Sequence, residues 1–222
     1  MFAAVLDACV LWPSLQRDFL LSLAIEGLYR PLWSDVLLDE VEDNEAAKLV
    51  RRGALEVDAA ARASFLRVEM VRAFPDAIVT GFEPLEGSFG LPDPDDEHVL
   101  AAAVLGGAGA IVTFNFKDFP AKQIPAGIEI ISPERFTADT VTLDPPAALR
   151  ALQQISCTQR TTRTARQNRG GAQRHPDRLL QTRRRDGEHP RRDLNLLQRR
   201  PAARDGGGCE GPRQETLCLS DL

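Results

Sequence analysis

The chain has 222 residues, 43% of them hydrophobic, enough for one domain with a real core and something left over. Charge divides it: residues 1–150 carry 12 Lys and Arg against 24 Asp and Glu, net −12, whereas residues 151–222 carry 15 Arg and 8 acids, net +7. Cys9, Cys157, Cys209 and Cys218 lack metal-ligand or disulfide-framework spacing, and the apolar opening run lacks a basic leader and soon meets Asp7; no zinc module, disulfide scaffold, signal peptide or membrane span is expected, but a reduced, cytoplasmic setting.

Phe2 to Leu6 is a short continuous apolar run, the pattern of a strand buried on both faces, and Asp7 ends it. Pro13 suits a first helical turn, and Leu15, Phe19, Leu20, Leu23 and Ala24 form a stripe, which predicts a helix from Pro13 to Glu26. Pro31 breaks the chain, Ser34 or Asp35 caps, and a second helix follows over Val36 to Glu45. Ala46 to Phe74 alternates charge with small apolar groups and reads as one or two further helices, including Ala60 to Ala73 with Phe65, Leu66 and Val68.

A short strand is expected over Ala77 to Thr80, then a Gly- and Pro-rich loop, then a helix from Pro94 to Leu105 stopped by Gly106, Gly107 and Gly109. Ala110 to Thr113 and Ile128 to Ile131 repeat the buried-strand pattern. Strands alternating with helices imply an α/β fold, a three-layer sandwich with a mostly parallel central sheet. Ligands collect at the carboxyl ends of such strands, and Asp7 and Asn115 both fall there.

The last element in the pattern is the helical start PPAALRALQQI, residues 145–155. After Ile155 the sequence holds no Val, Ile, Met, Phe, Tyr or Trp. Segments such as TRRRDGEHPRRD cannot bury enough apolar surface to offset the entropy of ordering. The folded domain is therefore expected at 1–150, and 151–222 as an Arg-rich, disordered tail. The abrupt change of composition suggests the hypothesis of a frameshift near residue 157. Reading the coding DNA in its other frames tests it: absence of an apolar, helix-patterned continuation in both refutes it.

Helical phase sorts the acids. At 100° per residue, Asp96 lies on the face of Val99, Leu100, Ala103 and Val104, whereas Asp95 and His98 point away and Glu97 sits at the border. Glu40 follows Val36 and Leu37 on their face, with Asp39 and Glu42 opposite. An unpaired carboxylate leaning toward a core must be neutral, paired or bound to a cation. Bases are scarce there: Lys117 is nearest, with Arg17 and Arg30 in the first helical region. Two carboxylates about 4 Å apart repel by roughly 4 kcal/mol at an effective dielectric near 20, which a divalent cation removes. Plainer roles compete. Asp93 before Pro94 is a natural helix cap, Asp7 can bond a turn, Asn115 and Asp118 can shape the loop FNFKDFP, His98 can be a solvated helix residue, and Cys9 a small buried hydrophobe.

Four pieces share one pattern: VLDACVLWP at 5–13, LLDEVEDN at 37–44, PDPDDEHVLAAAV at 92–104 and IVTFNFKDFP at 111–120. In these the chain resembles the PIN-domain ribonucleases, the family that includes the toxins of bacterial toxin-antitoxin pairs. The resemblance implies a Mg²⁺- or Mn²⁺-dependent endoribonuclease in which Asp7, Glu40 and Asp96 match the first three acids. Asp7 and Asp96 are then expected to hold the metal and Glu40 to complete or orient its shell. The fourth position, Asp in many members, is Asn115 here, with Asp118 just beyond, and either completes the site; Thr113 and Asn115 can instead orient a water.

All-oxygen ligands suit hard divalent cations. The same likeness implies an RNA substrate, an antitoxin that covers the cleft with its own Arg, and a possible homodimer. RNA affinity in so acidic a domain is expected from Arg51, Arg52, Arg62, Arg67 and Arg72, from the metal or from a partner chain. Haloacid-dehalogenase-type phosphatases need a second Asp where Cys9 stands, and receiver domains need an acid pair and a late Lys that cannot both be placed. The non-enzymatic alternative is a PIN-like module that binds RNA or a partner without cutting.

Overall fold

A computed structural model of the chain describes residues 2–156; residues 151–156, expected as the start of a disordered tail, continue a helix, and the rest of that tail, with the frameshift expectation, falls outside the described residues. Ala3–Leu6 forms β1, followed by the one-turn helix α1 (Ala8–Leu11), α2 (Ser14–Ile25), β2 (Arg30–Leu32), α3 (Asp35–Arg51) and α4 (Glu56–Ala73). After short 3₁₀ turns come α5 (Glu97–Gly106), β3 (Ala110–Val112), β4 (Glu129–Ile131), α6 (Pro133–Leu143) and a last helix, α7, over residues 145–156.

The four strands make one parallel sheet in the order β2-β1-β3-β4, flanked by helices. Side chains alternate faces along a strand, yet Ala4, Val5, Leu6, Ile111 and Val112 are all fully buried, so both faces are covered and the three-layer α/β expectation holds. No helix among the described residues is long and apolar enough to cross a membrane.

Three elements escape the sequence reading. Pro31, read as a break, lies inside β2; that strand is at the sheet edge, where a residue without an N–H is tolerated. The ladder from β2 to β1 uses the Arg30 N–H to the Phe2 carbonyl, 2.8 Å, so the Pro31 nitrogen faces away from β1. α1 is a single turn capped by Asp7, too short to show a period. α6 opens on Ser132, whose hydroxyl accepts from the Arg135 N–H, with Pro133 at its first position.

Other expectations shift. The strand at Ala77 to Thr80 reduces to one parallel bridge between Trp33 and Ile78. The second helix does not stop at Glu45 but runs to Arg51. In α4 the inward face is Ala59, Ala63, Leu66 and Met70, spaced four, three and four residues apart, while Phe65 and Val68 are exposed. Leu15 and Val36 are exposed as well. At the end of α5, Gly107 has φ 66° and its N–H bonds the Ala103 and Val104 carbonyls, the left-handed close that the glycine cluster predicts.

Candidate metal centre at the carboxyl edge of the sheet

β1 and β3 are neighbours at the centre of the sheet, and the residues just past their carboxyl ends are Asp7 and Thr113. The Asp7 N–H continues the ladder to the Val112 carbonyl at 3.1 Å, and the Thr113 N–H continues it to the Ile131 carbonyl at 3.0 Å. Backbone pairing thus fixes both side chains at one edge. The Thr113 hydroxyl donates to Asp7 Oδ2 at 2.5 Å, the Cys9 thiol donates to the same oxygen at 3.2 Å, and the Cys9 N–H caps α1 on Oδ1 at 3.4 Å. Asp7 is buried.

The Cys9 thiol is pushed up to about 12 by burial and then by the Asp7 carboxylate, so it stays protonated and acts as a donor, not a nucleophile. Its sulfur also accepts from the Phe114 N–H at 3.4 Å. The reading of Cys9 as a plain hydrophobe therefore needs correcting: burial supplies the environment, but its hydrogen bonds hold the turn.

Asp96 closes a 3₁₀ turn that feeds α5, and it is half-buried. Its carboxyl is raised from 3.8 to about 6, first by burial and then by the negative charges of Asp7, Asp118 and Asp93, with His98 opposing. Asp7 and Asp118 therefore lie near enough to Asp96 for their charges to act on it. Among the described residues neither Asp7 nor Asp96 has a Lys or Arg ion-pair partner; Lys117 reaches Asp118 only at 3.8 Å. The other bases are occupied: Arg17 pairs with Asp18 and Glu45, and Arg30 donates to the Gly106 carbonyl.

The two residues competing for the fourth position separate. Asn115 is exposed, and its recorded bonds are backbone ones: its N–H to Thr113 Oγ1 at 2.8 Å and its carbonyl to the Asp118 N–H at 3.1 Å. That turn folds the chain back and leaves Asp118 buried. Asp93 accepts from the Asp95 N–H at 3.0 Å, as a cap does.

The helical-phase argument fails for the neighbours of Asp96. α5 is buried without a break from Glu97 to Ala103, so no face of that stretch is wet. His98, expected in solvent, is buried, and its Nε2 lies 3.0 Å from Glu40 Oε1. Glu97, expected at the border, is buried and its carboxylate accepts the N–H groups of Gly87, Phe89 and Leu91 at 3.1, 3.2 and 2.8 Å. Glu40 is part-exposed on α3, with His98 as its partner. Of the arginines considered for RNA, Arg67 is held by Asp35, Asp39 and Glu42 and Arg72 by Glu69, whereas Arg51, Arg52 and Arg62 are exposed.

The oxygen-rich donor set fits a hard divalent cation: the strained charge of Asp96 is what such an ion relieves. Among the described residues no three His, Cys, Asp or Glu side chains converge as a complete ligand cluster. An ion of the Mg²⁺ type is commonly held by one or two carboxylates, with water and phosphate oxygens filling the rest.

No curated protein and no solved structure matches the chain. A family model described as PIN domain matches residues 3–117, from the first residue of β1 to one residue short of Asp118, and includes Asp7, Glu40, Asp96 and Asn115. Proteins of that family are generally nucleases and typically use a divalent metal. A parallel sheet with acids at its carboxyl edge and a match over more than half the sequence lead to one conclusion: the chain belongs to the PIN domain family.

Proposed function

We propose that the chain is a Mg²⁺- or Mn²⁺-dependent endoribonuclease and that it acts as the toxin of a toxin-antitoxin pair. The observation that supports this most is the crowding of Asp96 by the charges of Asp7 and Asp118 at the sheet edge, where among the described residues neither Asp7 nor Asp96 has a Lys or Arg ion-pair partner. Asp7 and Asp96 hold the ion, and Asp118 takes the fourth acidic place in preference to Asn115, which has no charge and is exposed. Glu40, steadied by His98, orients the outer part of the shell. Thr113 and Cys9 keep Asp7 in a single orientation. When bound, the ion lowers the pKa of water and offsets phosphate charge during hydrolysis of the RNA backbone.

The antitoxin is expected to supply an Arg to these acids in the stored complex, and a homodimer is compatible with the exposed helices. The deciding assay is cleavage of labelled RNA by the full chain. Cleavage is expected with Mg²⁺ or Mn²⁺ and not in excess EDTA; persistence in EDTA sinks the reading. Metal-dependent RNA binding without any cutting leaves the chain as a binding module.

Asp96 provides a second test, independent of turnover. Its native carboxyl stands above the usual 3.8, so the native state binds the proton more tightly than the unfolded chain does. Its contribution to metal-free stability therefore declines as pH rises from about 4 to about 6, and a penalty persists above that range. Because the side chain is partly solvated, that penalty is about 1 kcal/mol. Asp96→Asn is thus expected to raise the Tm of the metal-free protein at pH 7 and to remove the Tm gain that Mg²⁺ gives the wild type. A variant less stable than wild type without metal, with the Mg²⁺ gain intact, overturns the assignment.

A further inference from the structure

α1 is only four residues long, yet its N-cap is Asp7, placed here as a metal ligand. A single helical turn does not hold itself, because it fixes more dihedrals than its hydrogen bonds offset, and its last carbonyls find no partner inside it. Two side chains from other helices take those carbonyls. Lys48 of α3 donates its ammonium to the Trp12 carbonyl at 3.1 Å and to Ser14 Oγ at 2.9 Å, and Gln16 of α2 donates its amide to the Val10 carbonyl at 2.9 Å.

Lys48 is buried, which a lysine tolerates only when its charge is paired. Its third donor meets Glu45; that carboxylate also pairs with Arg17 at 3.6 Å, and Arg17 with Asp18 at 3.3 Å. As a stability device this group is poor. Covering two cations costs desolvation that apolar side chains of like volume avoid, and Arg17 Nε and Nη1 have no hydrogen-bond partner among the described residues. Lys48, by contrast, has an acceptor for each of its three protons, and two of them, Trp12 and Ser14, lie at the joint between α1 and α2.

The other end of the same turn is the metal centre. The Asp7 carbonyl accepts the N–H groups of Val10 at 2.9 Å and Leu11 at 3.3 Å, while its carboxylate accepts the N–H and thiol of Cys9. A turn that frays from its carboxyl end withdraws these donors and lets the Asp7 side chain rotate. Asp7 and Trp12 stand roughly 8 Å apart along the helix axis, so Lys48 acts through the turn and not on the ion.

We propose that Lys48, together with Gln16, is a positioning residue for Asp7, acting through α1. The proposal rests on the reading of Asp7 as a metal ligand and adds to it the groups that keep that ligand in place.

The test is Mn²⁺ binding by the full chain without RNA, read from the EPR signal of free Mn²⁺, together with amide hydrogen exchange of the metal-free protein. Lys48→Met is expected to weaken Mn²⁺ binding roughly tenfold and Gln16→Met about threefold. Loss of a cation by charge alone tightens cation binding, so the direction separates positioning from electrostatics. In both variants the amides of Val10, Leu11 and Trp12 should gain exchange rate by more than those of β1 and β3 do. Leu66→Ala, a core substitution in α4, should speed exchange broadly and keep Mn²⁺ binding within about twofold of wild type.

Tighter or unchanged Mn²⁺ binding in Lys48→Met, or α1 amides that respond no more than the strands, overturns the proposal. Gln16 is half-buried, so Gln16→Met decides if Lys48→Met does not fold: unchanged Mn²⁺ binding and unchanged α1 exchange there overturn it as well. A wild type that binds no Mn²⁺ refutes the metal reading alone, and the exchange arm then decides whether Lys48 and Gln16 hold the turn that Asp7 caps.

Discussion

Asp7→Asn is expected to lower RNA cleavage at saturating Mg²⁺ by at least about 100-fold while leaving the fold in place. Losing a group that merely orients a metal ligand costs roughly 10- to 100-fold, and Asp7 is placed here as a ligand itself. The fold should survive because Asn is as good a helix cap as Asp, and its carbonyl can still accept the Cys9 N–H that starts α1. The Thr113 hydroxyl can reverse its bond to accept from the new amide. Asp7 also contributes to holding the Asp96 carboxyl near 6, so the substitution should lower that value toward 3.8. Side-chain carboxyl NMR titration of Asp96 reads this directly. An unmoved Asp96, or a variant that cuts RNA as wild type does, removes Asp7 from the metal centre.

Glu97→Ala is expected to be the most destabilising single change near the site, by about 3 kcal/mol, with a fall in Tm of roughly 6–12 °C. The carboxylate gathers three backbone N–H groups from the loop over residues 87–91, and the Leu91 N–H is fully inside. Bonds to a charged acceptor exceed the ordinary ones, and removing the acceptor strands buried donors. Glu97→Gln retains one good acceptor and should lose about half as much. Both variants should still gain stability from Mg²⁺, because Glu97 is spent on the loop. Thermal unfolding with and without Mg²⁺ separates the two roles: a small stability loss together with a vanished Mg²⁺ gain makes Glu97 a ligand after all.

That contrast shows where sequence reasoning ends. The strand-end position of Asp7 was legible because a fully apolar run must stop where the first carboxylate appears. The parallel sheet was legible from apolar strands alternating with helices, and Gly107 from its place at a helix end. α5 was legible as a helix but not in phase, since phase informs only when one side is wet and α5 is enclosed on every side from Glu97 to Ala103. The uninterrupted VLAAA run was the available sign of enclosure, and it marks His98 and Glu97 as buried too.

The turn from Asn115 to Asp118 was illegible for another reason. The family resemblance gives the fourth position to Asn115, and only the bond from the Asp118 N–H to the Asn115 carbonyl shows the chain doubling back. The His98–Glu40 pair joins two helices 58 residues apart, a separation over which local pattern carries no information. Pro31 reads as a break because proline interrupts a strand inside a sheet, and only the strand order shows that β2 stands at the rim, where proline is tolerated.

That rim has an architectural consequence. At Pro31 the outer side of β2 has no N–H to offer, and the Trp33–Ile78 bridge already occupies the next position along it. The edge cannot serve as a template for an incoming strand, so neither a second copy nor a peptide can lengthen the sheet from this side. Assembly at this end of the molecule must proceed by packing side chains, which confines the geometry of a dimer formed here and removes one of the sheet's two edges from edge-to-edge pairing when the protein is concentrated.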